Sequence, residues 1–227
     1  MKKQFLTGAF VMGTLTVGSL GQMSLAEAAS ISFSVNPFTN DSDPANVNFT
    51  LTDVAQGVQF NANTNNGDIT GIFFDIANNS YLGELQVTNN NFPLTAFNQS
   101  GNVSDLGQGV NLNGGGTFSP YEIGVKVGNS GGNPGDFFQS VQFTLSTVPN
   151  SGLSPLTINQ FLGQNFGLRL QSTSPSGSGR GEGSSKLQGT AVPTPALLPG
   201  LIGMGIATLR KKKREEKLEP AGQGVEA

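Results

Sequence analysis

The chain has 227 residues, a formal charge of −3, and no Cys, His or Trp. This composition excludes a disulfide framework and removes the usual zinc ligands together with the commonest general base. Thirty-two Gly and twelve Pro predict abundant turns, and the length predicts one domain.

Residues 1–28 read as a signal peptide, an apolar signal helix before its removal. Lys2 and Lys3 form the charged start, Phe5 to Leu20 the apolar run, and Ala26-Glu27-Ala28 the small-x-small site that places cleavage after Ala28. The alternative is an uncleaved N-terminal anchor. Between Ser30 and Thr190 ten acids face four bases, which leaves that segment six units negative. A basic footprint for nucleic acid is missing there, so no nucleic-acid partner is expected.

Residues 29–172 read as an all-β ectodomain. Ile31, Phe33 and Val35 alternate with Ser32 and Ser34; Val47, Phe49 and Leu51 with Asn48 and Thr50; Val58, Phe60 and Ala62 with Gln59 and Asn61. Each run has one apolar and one polar face, as a half-buried antiparallel strand requires. Asn65-Asn66-Gly67-Asp68 predicts a tight hairpin into the next strand, because Asn and Gly accept positive φ. That strand, Ile69 to Ala77, is the most apolar and is expected to be central, with Ile72, Phe74 and Ile76 on one face and Phe73 on the other.

Leu85 and Val87 mark a further strand. From Phe92 to Phe118 the pattern weakens into long Gly/Asn-rich connections around one or two short strands. Order returns at Tyr121, Ile123, Val125 and Val127, and again at Val141, Phe143 and Leu145. Thr157 to Leu162 is the one helix candidate, with Thr157 as its cap and Gly163 as its stop. Phe166, Leu168 and Leu170 form a late strand. Residues 173–191 read as a Gly/Ser-rich linker holding a last edge strand near Ser184 to Gly189. Eight or nine short strands separated by turns predict an antiparallel β-sandwich, jelly-roll-like in type, with inward Phe residues as its core.

Little of this carries chemistry. Asp41-Ser42-Asp43 is a weak Ca²⁺ candidate, outweighed by a solvated turn before Pro44. Asp68 and Asp75 fall at opposite ends of one strand, a poor acid/base pair. Tyr81 and Tyr121 read as core or rim rather than as stacking platforms for sugars. Asn48-Phe49-Thr50 and Asn98-Gln99-Ser100 fit the glycosylation sequon, as chance matches in an Asn-rich chain. Gly179-Arg180-Gly181-Glu182-Gly183 lacks the strand and helix that a phosphate loop needs. No cofactor and no catalytic residue are expected.

Residues 192–214 are the most informative. Val192-Pro193-Thr194-Pro195-Ala196 opens a stretch of eighteen uncharged residues that ends at Leu209. As a helix it would span about 27 Å, close to a hydrocarbon core of about 30 Å. Arg210, Lys211, Lys212, Lys213 and Arg214 come next and would remain on the cytoplasmic side. Residues 215–227 form a short cytoplasmic tail. An ordinary single C-terminal transmembrane helix is the plain alternative.

The order of Pro-rich motif, apolar run and basic cluster resembles the PEP-CTERM class of bacterial sorting signals, in the PTPA form of cyanobacterial surface proteins. The segments 136–145, 164–170 and 183–187 are also similar to exosortase-dependent surface proteins of that group. The resemblance implies recognition of Pro193, Thr194, Pro195 and Ala196 by an exosortase-like membrane protease, with processing near that motif. The motif lacks the Glu of the commoner form, and the tail runs on past the basic cluster. The resemblance therefore implies a non-enzymatic exported protein of the cell surface or extracellular matrix, transiently anchored in the cytoplasmic membrane. The alternative is a glycan- or calcium-dependent binding or adhesion module on the same fold, with extracellular polysaccharide as a partner.

Overall fold

The computed structural model describes residues 28–38, 44–113, 120–129, 137–177 and 181–192. The expectations for Ala26, for Asp41 and Asp43, for Arg180, for the motif Pro193–Ala196, for Arg210–Arg214 and for both terminal helices lie outside the described residues.

The protein is all-β and antiparallel. Ten strands are described: β1 (Ser30–Pro37), β2 (Val47–Val54), β3 (Gly57–Thr64), β4 (Asp68–Phe74), β5 (Leu85–Thr88), β6 (Leu94–Asn98), β7 (Ile123–Val127), β8 (Ser140–Thr147), β9 (Asn165–Thr173) and β10 (Gly183–Thr190). They form one sheet in the order β5-β8-β3-β2-β1-β10-β9-β4-β7-β6. β1 joins the two halves. Its residues Ser30 to Val35 pair with β2, and its last two, Asn36 and Pro37, pair with β10. Pro37 has no N–H to give a ladder, which suits the point where the strand changes partner.

The two free edges, β5 and β6, are consecutive in sequence and lie at opposite ends of the sheet order. The curled sheet is thereby nearly closed into a barrel. Gln99, just past β6, spans the seam. Its side-chain oxygen accepts from the Leu85 and Gly83 N–H groups at 3.2 and 2.9 Å, and its amide nitrogen donates to the Leu85 carbonyl at 3.0 Å.

Phe side chains fill the interior because alternate residues of every half-buried strand turn inward. Phe49, Phe60, Phe74, Phe143, Phe161 and Phe166 are fully buried. The halves meet through Phe60–Phe74 at 5.2 Å and Phe49–Phe166 at 5.4 Å between ring centroids. Such pairs add about 0.5–1.5 kcal/mol each beyond burial of their area.

β4 is buried on both faces, in keeping with its run Ile72-Phe73-Phe74. Ile72, Phe74 and Ile76 face the barrel core, whereas Phe73 faces a second cluster with Val103, Val110, Leu112 and Tyr121. This second cluster is the underside of a cover formed by residues 99–113 and Tyr121. Phe73 pairs with Gly124 on β7 and with Gly167 on β9. A Cβ at Gly124 would come within 2.8 Å of Val103, and one at Gly167 within 2.5 Å of Tyr121 and 2.6 Å of Leu112. Two glycines flanking one Phe therefore make the trough into which the cover packs.

Four sequence expectations are corrected. Asn65–Asp68 is not a hairpin: β3 pairs with β2 and β8, and β4 with β7 and β9. The segment is a corner between the halves. Asn66 is buried there, donating to the carbonyls of Pro44 (2.6 Å) and Ser174 (3.1 Å) and accepting from the Ser174 N–H (2.8 Å), while Gly67 takes a φ of +88°. The strand near Ser184–Gly189 is no edge strand, since β10 lies between β1 and β9. The fold thus runs on to Thr190 rather than ending at residue 172. The helix candidate is a single 3-10 turn, Ile158–Gln160, and Thr157 makes no side-chain cap. Asp53 from β2 does that work, its Oδ1 accepting the Ile158 N–H at 2.7 Å.

Candidate functional site

Most residues singled out in the sequence serve the fold. Tyr81 and Tyr121 are 5 % and 3 % exposed, so neither presents a ring to a ligand. Tyr81 donates to the Ser154 carbonyl at 3.2 Å. Asp68 begins β4 and accepts the Phe138 N–H at 2.7 Å. Asp75 lies just past the other end of that strand, so the two acids are not a pair. Ala28 is exposed immediately before β1. Asn48 lies exposed on β2, and Asn98 closes β6 with its Oδ1 on the Ser100 N–H at 3.0 Å.

The structure does bring two carboxylates together, Asp75 and Glu122. They are braces rather than a reactive pair. Asp75 Oδ1 accepts the Glu122 N–H at 3.2 Å, and Glu122 Oε2 accepts the Ile76 N–H at 2.8 Å. Asp75 Oδ2 accepts from the Asn165 amide at 3.0 Å. Asp75 thus holds the backbone of Glu122, and Glu122 that of Ile76, locking the end of β4 to the entry of β7, and Asn165 adds β9. Burial raises the Asp75 pKa above its ordinary value, opposed by the hydrogen bonds from Asn165 and the Glu122 N–H and reinforced by the Glu122 charge. Beside it, burial pushes the Tyr121 phenol well above its usual range, and the Asp75 charge adds to that. Asp75 and Glu122 are 47 residues apart, and sequence spacing could not have joined them.

A regular polar surface is formed by the outer face of the half-sheet β1-β2-β3-β8-β5. Three rows cross it in register. Ser34, Asn48, Asn63 and Ser140 form the first, and Ser32, Thr50, Asn61 and Gln142 the second. Ser30, Thr52, Gln59, Thr144 and Thr88 form the third, in which Thr144 is buried. Every side chain in these rows is an uncharged hydroxyl or amide.

Row neighbours on β1 and β2 are hydrogen-bonded. Ser32 and Thr50 hydroxyls lie 3.0 Å apart, those of Ser30 and Thr52 3.2 Å apart, and Ser34 donates to Asn48 Oδ1 at 2.6 Å. Ser32, Ser34, Asn48 and Asn63 remain exposed. A shallow depression of about 440 Å³ lies over Ser32, Ser34, Asn48 and Thr50. The alternation of polar residues is visible in each strand, but their alignment into one neutral surface depends on register between strands distant in sequence.

No protein-family model, curated protein or solved structure matches this chain. Among the described residues no group of three or more acids is placed to hold a metal ion, and no helix is long and apolar enough to cross a membrane.

Proposed function

We propose that the chain is a non-enzymatic exported protein of the cell surface or extracellular matrix. In this reading residues 1–28 direct export, and a C-terminal transmembrane helix capped by Arg210–Arg214 holds the chain in the cytoplasmic membrane. An exosortase-like protease then acts near Pro193, Thr194, Pro195 and Ala196. The ectodomain between these labels is a barrel flattened over its Phe core, a sandwich of jelly-roll type.

The observation that carries the proposal is the change in burial between Ala191 and Val192. Ala191 is buried, its carbonyl accepting the Gly163 N–H and its own N–H donating to the Gln164 carbonyl, each at 2.9 Å. Val192, the next residue, is 60 % exposed. The described strands all lie between Ser30 and Thr190. A buried, hydrogen-bonded residue followed by an exposed one just before a Pro-rich sequence suits a protease acting on a folded substrate, because cleavage beyond it leaves the described strands intact.

The test is a Pro193→Ala/Pro195→Ala variant expressed in the native cells. Accumulation of the longer chain in the membrane fraction is expected, with loss from the surface fraction. Unchanged size and distribution would overturn processing at this motif.

A second reading, a binding module for glycans on the same fold, is favoured by the neutral ladder of hydroxyls and amides on the β1-β2-β3-β8-β5 face.

A further inference from the structure

We infer that this neutral face is a docking surface for an uncharged polysaccharide. The inference rests on the glycan-binding reading, and it fixes both the place and the chemical class of the partner.

Charge is the first argument. The three rows hold no ionisable side chain, while the segment from Ser30 to Thr190 carries ten acids and four bases. A polyanion, whether nucleic acid, uronate polymer or sulfated glycan, would meet no cation on this face and a negative field around it. Lys126, Arg169 and Lys186 all belong to strands of the other half, β7, β9 and β10. Desolvating a neutral hydroxyl or amide against another hydrogen-bonding group costs far less than desolvating a charge, so a neutral face suits a neutral partner.

Donor and acceptor capacity is the second argument. A Ser or Thr hydroxyl offers one donor and two acceptor sites, and an Asn or Gln amide offers two of each. The bonds between the β1 and β2 side chains fix those groups in place. A sugar hydroxyl, itself both donor and acceptor, is their complement.

Size is the third argument, and it separates a polymer from a second copy of the chain. All three rows cross the four strands β1, β2, β3 and β8, which at about 4.8 Å of width each span about 19 Å, and three rows of about 6.8 Å each extend the face about 20 Å along the strands. The resulting area of about 400 Å² is half of the roughly 800 Å² that each partner buries in a standard interface. A stable dimer needs more. A repeating polymer does not, because each added row or neighbouring molecule raises the effective concentration of the next contact.

The experiment uses the full-length chain in mild detergent and measures retention on microcrystalline cellulose, on chitin and on alginate beads. Retention on cellulose or chitin is expected to survive about 0.5 M NaCl, where charge interactions are screened within a few ångströms. Thr50→Glu/Asn61→Glu, and separately Ser32→Lys/Gln142→Lys, should each weaken it at least about tenfold, equivalent to about 1.4 kcal/mol. Gln188→Glu, on the other half, should not, and matched unfolding midpoints show that the variants are folded. Absence of retention on both neutral polymers, retention on alginate alone, or retention of both charge variants equal to that of the parent would overturn the inference. A protein that is exported and trimmed yet binds neither neutral polymer would sink this inference and leave the export proposal standing.

Discussion

The side-chain amide of Gln99 meets both backbone groups of Leu85, accepting its N–H at 3.2 Å and donating to its carbonyl at 3.0 Å. One side chain thus supplies the bonds a neighbouring strand would give, at the one place where the ten-stranded order does not close on itself. An unprotected edge at that seam would offer unpaired backbone to other chains.

Gln99→Ala leaves the Leu85 and Gly83 N–H groups without this acceptor, one of them on a residue only 3 % exposed. A loss of about 1–3 kcal/mol is expected. Urea unfolding reads the loss, and hydrogen exchange at Leu85 should accelerate more than exchange at residues of β2 or β3. A uniform acceleration would mean that the seam has no local role.

Gly167→Ala tests the trough beneath the cover. The added methyl would come within 2.5 Å of Tyr121 and 2.6 Å of Leu112, both on the cover side. Overpacking of this kind costs about 1–3 kcal/mol. The barrel core lies on the opposite side of β9, so the cover should lift first. Limited proteolysis between residues 99 and 113 is the readout, with cleavage in the variant before global unfolding.

The strands are legible in the sequence because their cause is local. Val47, Phe49 and Leu51 alternate with polar residues, and that period of two specifies a half-buried strand whatever it pairs with. Asn65–Asp68 misleads for a physical reason. The same residues that allow a tight hairpin also allow a corner, and the choice is made by Asn66 bonding to Ser174, 108 residues away. The edge position expected for β10 fails similarly, since a Gly/Ser-rich approach says nothing about strand order. The cover over Phe73 reads as irregular connection because its apolar residues Val103, Leu106, Val110 and Leu112 have no strand or helix period. Their partners are glycines on other strands. The neutral face is half legible, its polar residues evident and their alignment not. Asp75 and Glu122 are both plain in the sequence, but nothing local joins them.

Phe166 contacts Phe49, Phe74 and Phe60 with ring centroids 5.4, 5.7 and 6.4 Å away. Phe166→Ala should cost about 3–5 kcal/mol. Domains of this kind hold about 5–15 kcal/mol in total. The variant is expected to lose about a fifth or more of its stability, with the unfolding midpoint falling accordingly. A midpoint close to the parent would show that the rings do not join the two halves.

Asp75 gives a pH dependence with a definite sign. Burial raises its pKa in the fold above the ordinary 3.8. The folded state therefore holds this proton more tightly than the unfolded chain. Its stabilising effect is complete below the unfolded pKa and is lost as pH rises through the folded value. Asp75→Asn removes that step. The midpoint of the variant, relative to the parent, should rise with pH from about 4 upward. A difference that stays flat with pH would show that Asp75 titrates alike in both states.

The proposed function rests on a self-sufficient β fold bracketed by two removable labels. Intact-mass analysis of the mature protein from native cells tests this most directly. The expected product is a chain that begins at Ala29 and ends near Pro195. A mass corresponding to Met1 through Ala227 would contradict it.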